Sequence, residues 1–490
     1  MVMERRDSRY KRANRFELKP EICTDGSFKG YLKLDWIHSA AKKDQGKRFD
    51  NLLHHLNEDN FRQAFRQLSG NKAVGIDQVT KSMYGKNLNS NLEALANEVG
   101  RGGWRPKPTR VVEVPKLSGG TRSIEIGCFE DKLVQQVVAK ILEAIYEPVF
   151  YRHSYGFRPG RNTHQALARL YTEIEYRSDK VCVVEIDIQK FFDQVDHEKL
   201  IEILSERIGD QHLIRIIRRI LRNSNLKPEG RYEQKLSGTP QGSPLSLMLA
   251  NIYLHAILDQ WFLKNFESEG VLIRYADDLV AVFSSPERAE VFLNEIKTQL
   301  WDTGKLRINE EKSKLIHFSK SEPQGCVPFV GFELYWGRAN VKSREKVLKV
   351  KTAKIRTIKA IQTFKEWIKA NRNRHNLTEL WRQVEAKLRG HYQYFGVSFN
   401  RAKLYLIYHN YVGLLFRWLN RRSQKRSFTW DEFSRKLHFN PLPMPPPSNL
   451  LVNITNSLGT VAKRKPRSRM RKLRTYGSNR SFGGQPPLFT

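Results

Sequence analysis

Apolar residues recur at helical spacing in parts of this chain and alternate at strand spacing in others. Leu52, Leu53, Leu56, Phe61, Phe65 and Leu68 predict short helices within 49–99, broken at Gly70 and Gly75. Residues 109–115 (TRVVEVP) read as a strand, and the LSGGTR turn leads into a second strand near 124–126. Leu133, Val134, Val137, Val138, Ile141, Leu142 and Ile145 form one helical stripe over 131–146, and a further helix is predicted over 163–177. Residues 181–188 (VCVVEIDI) read as a buried strand, with Glu185 and Asp187 sharing one face near its end. Residues 271–283 (VLIRYADDLVAVF) read as two short strands about a tight turn, and 315–318 and 329–336 as further strands. Strands separated by helices and joined by a hairpin predict an α+β sheet domain and not a doubly wound parallel sheet.

Beyond about residue 337 the character changes. Residues 341–375 carry twelve Lys/Arg against two acids. Ile358, Ile361, Phe364 and Ile368 there predict the apolar face of a basic amphipathic helix, with another helix over 377–394. Five prolines within 441–447 make a stiff linker, and 461–480 hold nine Lys/Arg and no acid. Such a tail is expected to order only on phosphate. Residues 1–50 read as a basic extension.

Composition sharpens this picture. The chain has 490 residues, room for about two to four domains. Its 85 Lys+Arg against 51 Asp+Glu give a formal charge of +34, which points to a polyanion, nucleic acid first. Cys23, Cys128, Cys182 and Cys326 contain no C-x-x-C pair, which argues against a zinc finger and a disulfide framework. The apolar run 244–258 is interrupted by Asn251, Tyr253 and His255 and is too short for a bilayer, so no membrane partner is expected. MVMERRDSRYKR lacks the apolar core of a secretory signal.

The candidate chemistry centres on Asp277 and Asp278 in RYADDL. Adjacent carboxylates at a hairpin tip between apolar strands repel each other and are costly to hold. Hard divalent cations such as Mg²⁺ would remove that cost. Asp187 ends another strand that could bring a third carboxylate alongside. Three carboxylates could hold two ions about 4 Å apart for in-line displacement at phosphorus. A solvent-exposed Asp-Asp turn is the plain alternative.

RYADDL resembles the Y-x-D-D box of reverse transcriptases, and the resemblance continues in order along the chain. GIDQVT (75–80), VPK (114–116), TRSI (121–124), SYGFRPGR (154–161) and EIDIQKFFDQVDH (185–197) are similar to motifs of the group II intron-encoded reverse transcriptase and maturase family. So are GTPQGSPLSLMLANIYL (238–254), INEEKSKL (308–315), FVGF (329–332), KLRGHYQYFG (387–396) and RWLNRRSQKRSFTW (417–430). The likeness covers roughly 50–440. The chain departs from the family pattern in three places. Gln78 stands for a usual Gly, Leu247 follows Ser246 in place of Pro, and RSIEIG (122–127) replaces R-P-L-G-I-P. The last puts Glu125 near the expected nucleotide pocket.

The resemblance implies a right-hand polymerase. The fingers would span 51–180, the palm 181–337, an α-helical thumb with maturase X region 338–400 and a DNA-binding region 401–440, with linker and tail over 441–490. It implies that Asp187, Asp277 and Asp278 ligate two Mg²⁺ ions and that Phe192 excludes a ribose 2′-hydroxyl, selecting dNTPs. Lys116, Arg122 and Gln241 would meet the nucleotide, and Lys312 would donate a proton to pyrophosphate. Arg158 and Arg161 are candidates for template or primer phosphates. Arg421, Arg422, Lys425 and Arg426 are candidates for structured RNA. Each of these side chains has a bland reading as a core, capping or solvated residue.

The expected partners are an RNA template, group II intron RNA in particular, and a DNA primer or target. The oligomeric state is left unknown. The expected role is polymerisation with assistance to intron splicing and mobility, in a bacterial cytoplasm near the nucleoid, with an organelle left open. No Cys follows Cys326 and no His follows His438, so the family's terminal endonuclease domain is expected to be absent. Two rivals stay open: a host-recruited group II-like enzyme of DNA repair or defence, and a non-catalytic RNA-binding splicing maturase.

Overall fold

The structure is a computed structural model that describes residues 34–447, apart from 116–119, 178, 180, 241, 323–324, 340–342 and 423–427. Most of the basic extension, the tail from 448, Lys116, Gln241, Lys425 and Arg426 therefore lie outside the described residues.

Along the chain the strands are β1 (Thr109–Pro115), β2 (Thr121–Ile126), β3 (Cys182–Asp187), β4 (Ser224–Leu226), β5 (Tyr232–Gln234), β6 (Gly270–Tyr275), β7 (Asp278–Phe283), β8 (Lys314–His317), β9 (Val327–Phe329), β10 (Phe332–Arg338) and β11 (Lys346–Thr352). They build three sheets, ordered β2-β1-β4-β5, β6-β7-β3-β8 and β11-β10-β9. The middle sheet is antiparallel throughout, with β7 between β6 and β3. The class is α+β, as the mixture of rhythms predicts.

Strand alternation gives the middle sheet two buried faces. Cys182, Val184, Ile186, Leu279, Ala281 and Phe283 enter one core, which they share with the helices Phe129–Tyr146 and Pro244–Leu254. Val183, Val280, Val282 and Ile273 enter a second core, under the helix Thr163–Arg177 and against β9 to β11. The helix Pro244–Leu254 starts with the Ser243 hydroxyl accepting the Leu245 N–H and Pro244 in its first turn, both favoured N-terminal signals. The helices Lys354–Asn371, Leu377–Phe395, Arg401–Leu419 and Trp430–Phe439 pack a separate third core. Among the described residues no helix is long and apolar enough to cross a membrane.

Two expectations from the sequence are corrected. The strand predicted over 329–336 is two strands, β9 and β10, because Val330 and Gly331 both take left-handed backbone (φ 44° and 85°) and reverse the chain. The amphipathic helix forms, but Ile358 does not join its buried face and is 53% exposed. The buried stripe runs through Thr357, Phe364 and Ile368, one position round the helix from Ile358.

Asp131 lies buried in the first turn of the helix Phe129–Tyr146 and accepts the Lys107 N–H at 3.0 Å. Burial pushes its carboxyl up to about 7, against the pull of that hydrogen bond. An unfolded Asp titrates near 4, so the folded chain holds the extra proton between about pH 4 and 7. Wild-type stability should fall as pH rises through that window, relative to Asp131→Asn. Urea unfolding of both chains should show a gap favouring the variant that widens from pH 4 to 7. A constant gap would contradict the burial effect.

Candidate functional site

The β6–β7 hairpin reverses at Ala276 and Asp277, with Ala276 left-handed at φ 60°. Antiparallel register then places Asp278 opposite Tyr275 on β6 and opposite Asp187 on β3. The same face continues inward through Ile273, Val280, Val183 and Val282. Asp187 and Asp278 thus stand on neighbouring strands at the rim of an apolar surface, with Asp277 in the turn beside them. Residues ninety apart in sequence meet because β7 is sandwiched between β6 and β3.

Three sets of contacts hold the turn. Arg274, alternating to the opposite face, is fully buried and donates to both Asp259 oxygens (2.9 and 2.6 Å), Asn251 Oδ1 (2.9 Å) and the Ala276 carbonyl (3.2 Å). The SYGFRPGR segment braces the outside of the turn. Tyr155 N–H donates to the Arg274 carbonyl (2.8 Å), Arg274 N–H donates to the His153 carbonyl (3.0 Å), and Asn251 Nδ2 donates to the Gly156 carbonyl (2.8 Å). Gly156 lies so close that a Cβ there would be 2.3 Å from the Ala276 nitrogen. On the third side, the Val330 N–H of the β9–β10 turn donates to Asp278 Oδ2 at 2.9 Å, and the Tyr394 hydroxyl donates to the Val330 carbonyl at 3.0 Å.

Burial pushes the Asp278 carboxyl up to about 6; the Val330 N–H pulls it down, and Asp277 and Asp187 add repulsion. Burial likewise pushes Glu185, one alternation inward, up to about 7, with Lys314 opposing and Asp278 adding repulsion. Among the described residues no group of three or more His, Cys, Asp or Glu side chains is arranged to hold a metal ion. Asp187 Oδ2 meets Lys312 Nζ at 3.1 Å, and Asp278 faces the Val330 N–H. The donors are nonetheless hard carboxylate oxygens carrying mutual repulsion, the chemistry that suits Mg²⁺. Asp187, Asp277 and Asp278 are the residues that could hold such a cation.

A second cluster adjoins these acids. Phe192 is half-buried, beside the buried Phe191, and its carbonyl accepts the Thr239 N–H at 2.7 Å. Gly238 (φ 84°) rests on the Phe192 and Asp193 backbone, while Gly242 (φ 118°) rests on the Glu125 carbonyl. The loop around 238–243 therefore joins the Phe191–Gln194 helix to β2, the strand that contains Arg122. Glu125 is neutralised by an ion pair with Lys235, both largely buried, so this departure from the family pattern is compensated. Gln78 takes the left-handed backbone (φ 55°) that a glycine adopts without strain.

The basic candidates divide. Arg158 is corrected: its side chain is 2% exposed and donates to Glu147, Tyr151 and Ser154 oxygens, leaving nothing for a phosphate. A guanidinium in that position must be paired, and the loop's own carbonyls pair it. Arg161 is half-buried on the Arg152 and Ser154 carbonyls (2.6 and 3.2 Å). Lys312 is exposed beside Asp187. Arg421 is exposed against the Trp418 ring, and Arg422 donates to the His375 carbonyl at 2.8 Å. The sequence reading missed Arg274, Asp259 and the Val330 N–H. A charged residue inside the apolar run VLIRY was the available signal for Arg274; nothing local announces a backbone donor.

Residues 107–334 match the family described as reverse transcriptase (RNA-dependent DNA polymerase). An uncharacterised 91 kDa protein in the cob intron of Schizosaccharomyces pombe is 39% identical over 246 residues, 48% of this chain and 29% of that protein. Protein YkfC of Escherichia coli is 28% identical over 332 residues, 61% of this chain and 85% of YkfC. The group II intron-encoded protein LtrA of Lactococcus lactis is 33% identical over 233 residues, 47% of this chain and 38% of LtrA. The match thus spans most of YkfC but well under half of the other two proteins.

Gly156→Ala should force the Ala276–Asp277 turn outward, because the clash is with backbone. A displacement of about 1 Å at a reacting group costs about a hundredfold in rate. Steady-state primer extension should fall by that order while circular dichroism stays native. Unchanged extension would show that the loop does not set the turn.

Proposed function

We propose that the chain, whose residues 107–334 match the reverse transcriptase family, is an RNA-directed DNA polymerase of group II intron type. The observation that carries the proposal is the register that sets Asp187 opposite Asp278, beside the Asp277 turn. Asp187, Asp277 and Asp278 would hold two Mg²⁺ ions, which would acidify a primer 3′-hydroxyl and neutralise charge on departing pyrophosphate.

The chain's own groups do the rest. Phe192 walls the nucleotide's sugar and excludes a 2′-hydroxyl. Lys116 and Arg122 pair with the triphosphate, and Gln241 lines the nucleotide and template pocket. Lys312, beside Asp187 Oδ2, gives a proton to pyrophosphate. On this reading 51–180 are the fingers, 181–337 the palm, 338–400 the thumb and X region and 401–440 a DNA-binding region. The extension 1–50 and the linker and tail 441–490 flank them. The helical third core presents Arg421, Arg422 and the basic face of Lys354–Asn371 to structured RNA, and the charges of Lys425 and Arg426 would serve the same contact. Likeness to LtrA supports group II intron RNA as that partner, with splicing and mobility as the wider role. The braced carboxylates support the catalytic reading over a purely RNA-binding one, since a binding surface has no need of a repulsive acid pair.

Asp277→Ala should lower Mg²⁺-dependent extension of a DNA primer on RNA by about a thousandfold, the scale of several kcal/mol of metal assistance. Filter binding of the same RNA should be retained. A wild-type chain that extends no primer–template in Mg²⁺ would overturn the enzyme reading. RNA affinity should also fall steeply, by at least about tenfold, between 50 and 200 mM salt. A flat salt response would contradict phosphate-led binding.

A further inference from the structure

The helical third core reaches the carboxylate turn through one short piece of backbone, Val330–Gly331 between β9 and β10. Val330 is held at both ends: its N–H donates to Asp278 Oδ2 at 2.9 Å, and its carbonyl accepts the Tyr394 hydroxyl at 3.0 Å. The next carbonyl, that of Gly331, accepts the Ala353 N–H at 3.1 Å. Ala353 immediately precedes the helix Lys354–Asn371, and Tyr394 is the last residue but one of Leu377–Phe395. Asn400, buried, laces these two helix ends together. Its Oδ1 accepts the Thr352 N–H (2.8 Å), and its Nδ2 donates to Thr352 Oγ1 (2.7 Å) and to the Phe395 carbonyl (2.8 Å). The turn that touches Asp278 is therefore pinned from a part of the chain outside residues 107–334.

A β-branched residue at φ 44° keeps that backbone only while its surroundings dictate it. Without a donor on its carbonyl, Val330 would relax toward the extended region, and its N–H would swing off Asp278. Tyr394 is fixed well enough to prevent this. Its ring stacks on Phe332 (5.9 Å, 11°), and His164 Nε2 donates to its carbonyl at 2.7 Å. The Thr163 side chain hydrogen-bonds to the same hydroxyl that Val330 meets. A phenylalanine would pack against Phe332 equally well, so the hydroxyl is what the turn requires of this position. We propose that Tyr394 is a positioning residue for the carboxylate turn: acting through Val330, its hydroxyl fixes the Asp278 carboxylate in the orientation that cation binding needs. The inference rests on the polymerase reading and adds to it a residue that touches neither substrate nor cation.

Tyr394→Phe removes one oxygen and keeps the ring; circular dichroism checks the fold. Manganese(II) binding to the full chain, read from the free-ion EPR signal, should weaken about three- to tenfold, the range of one net hydrogen bond. In chain carrying isotope-labelled valine, the Val330 amide proton should move upfield, as it should in Asp278→Asn. Within the Asp278→Asn background, Tyr394→Phe should change the manganese Kd no further, whereas general loosening of the fold would weaken binding in both backgrounds. In primer extension at subsaturating Mg²⁺, kcat should fall by the same three- to tenfold with dNTP KM and duplex Kd unchanged. An unmoved Val330 amide, an unchanged manganese Kd, or an equal loss in the Asp278→Asn background would overturn the inference. So would a change confined to dNTP KM or duplex Kd, which would make Tyr394 a substrate contact. A wild-type chain that extends no primer defeats the polymerase reading, while the manganese titration and the Val330 resonance still decide the role of Tyr394.

Discussion

A single buried guanidinium holds the functional end of this molecule together. Arg274 sits on a strand between Ile273 and Tyr275, with no exposed surface, and reaches Asp259, Asn251 and the Ala276 carbonyl. Burial alone would raise the Asp259 carboxyl, yet Arg274 and His255 hold it below the usual carboxylate range. Asp259 ends a π-helical stretch, His255–Asp259, that continues the helix Pro244–Leu254. The wider turn shifts the register of that helix, as π-bulges near functional sites do. Arg274 thus couples the helix after the 238–243 loop to the hairpin that carries Asp277 and Asp278. A buried pair is poor evidence of net stability, but it fixes one geometry, since a lone charge left behind would be expensive. That is its use here.

Much of this was readable from residues alone, for a physical reason. β1 and the helix Thr163–Arg177 fall where the apolar period put them, because alternation and the 3.6-residue stripe report burial directly. VCVVEIDI and VLIRYADDLVAVF announced buried strands ending in acids, and the register that makes Asp187 face Asp278 follows once those strands are neighbours. What stayed hidden was long-range or backbone-borne. No local pattern says that Val330 N–H will meet Asp278, or that Arg158 will turn inward on Glu147. Val330 also defeated the turn signals, since a β-branched residue with φ 44° runs against its preference.

The departures from the family pattern show how far local compensation goes. Glu125 adds an acid to β2, and Lys235, the residue after β5, pairs with it. The hydroxyl of Ser246 donates to the Pro240 carbonyl at 2.7 Å, so the loop before that helix stays closed although Leu247 follows in place of proline. In both cases the change is absorbed within one shell of contacts, and the acids at the β3 and β7 ends keep their register.

Some backbone strain falls at the same place. Of the non-glycine residues with left-handed backbone, Ala276, Val330 and Phe157 adjoin the carboxylate turn or the segments that brace it, while Asn51, Gln78, Lys190, Lys305 and Phe399 lie elsewhere. Such residues cost of order 1–3 kcal/mol each and persist only when surrounding contacts dictate them. Here the contacts are identified: Gly156 against Ala276, Tyr394 on the Val330 carbonyl, Phe157 against the Tyr275 ring at 6.2 Å. Unfavourable backbone and like-charge carboxylates, with Asp278 raised by burial and by Asp277 and Asp187, meet on one rim. Carboxylate repulsion is itself one cause of the raised Asp278, so the electrostatic cost at this rim is one cost, of the kind a hard cation would relieve.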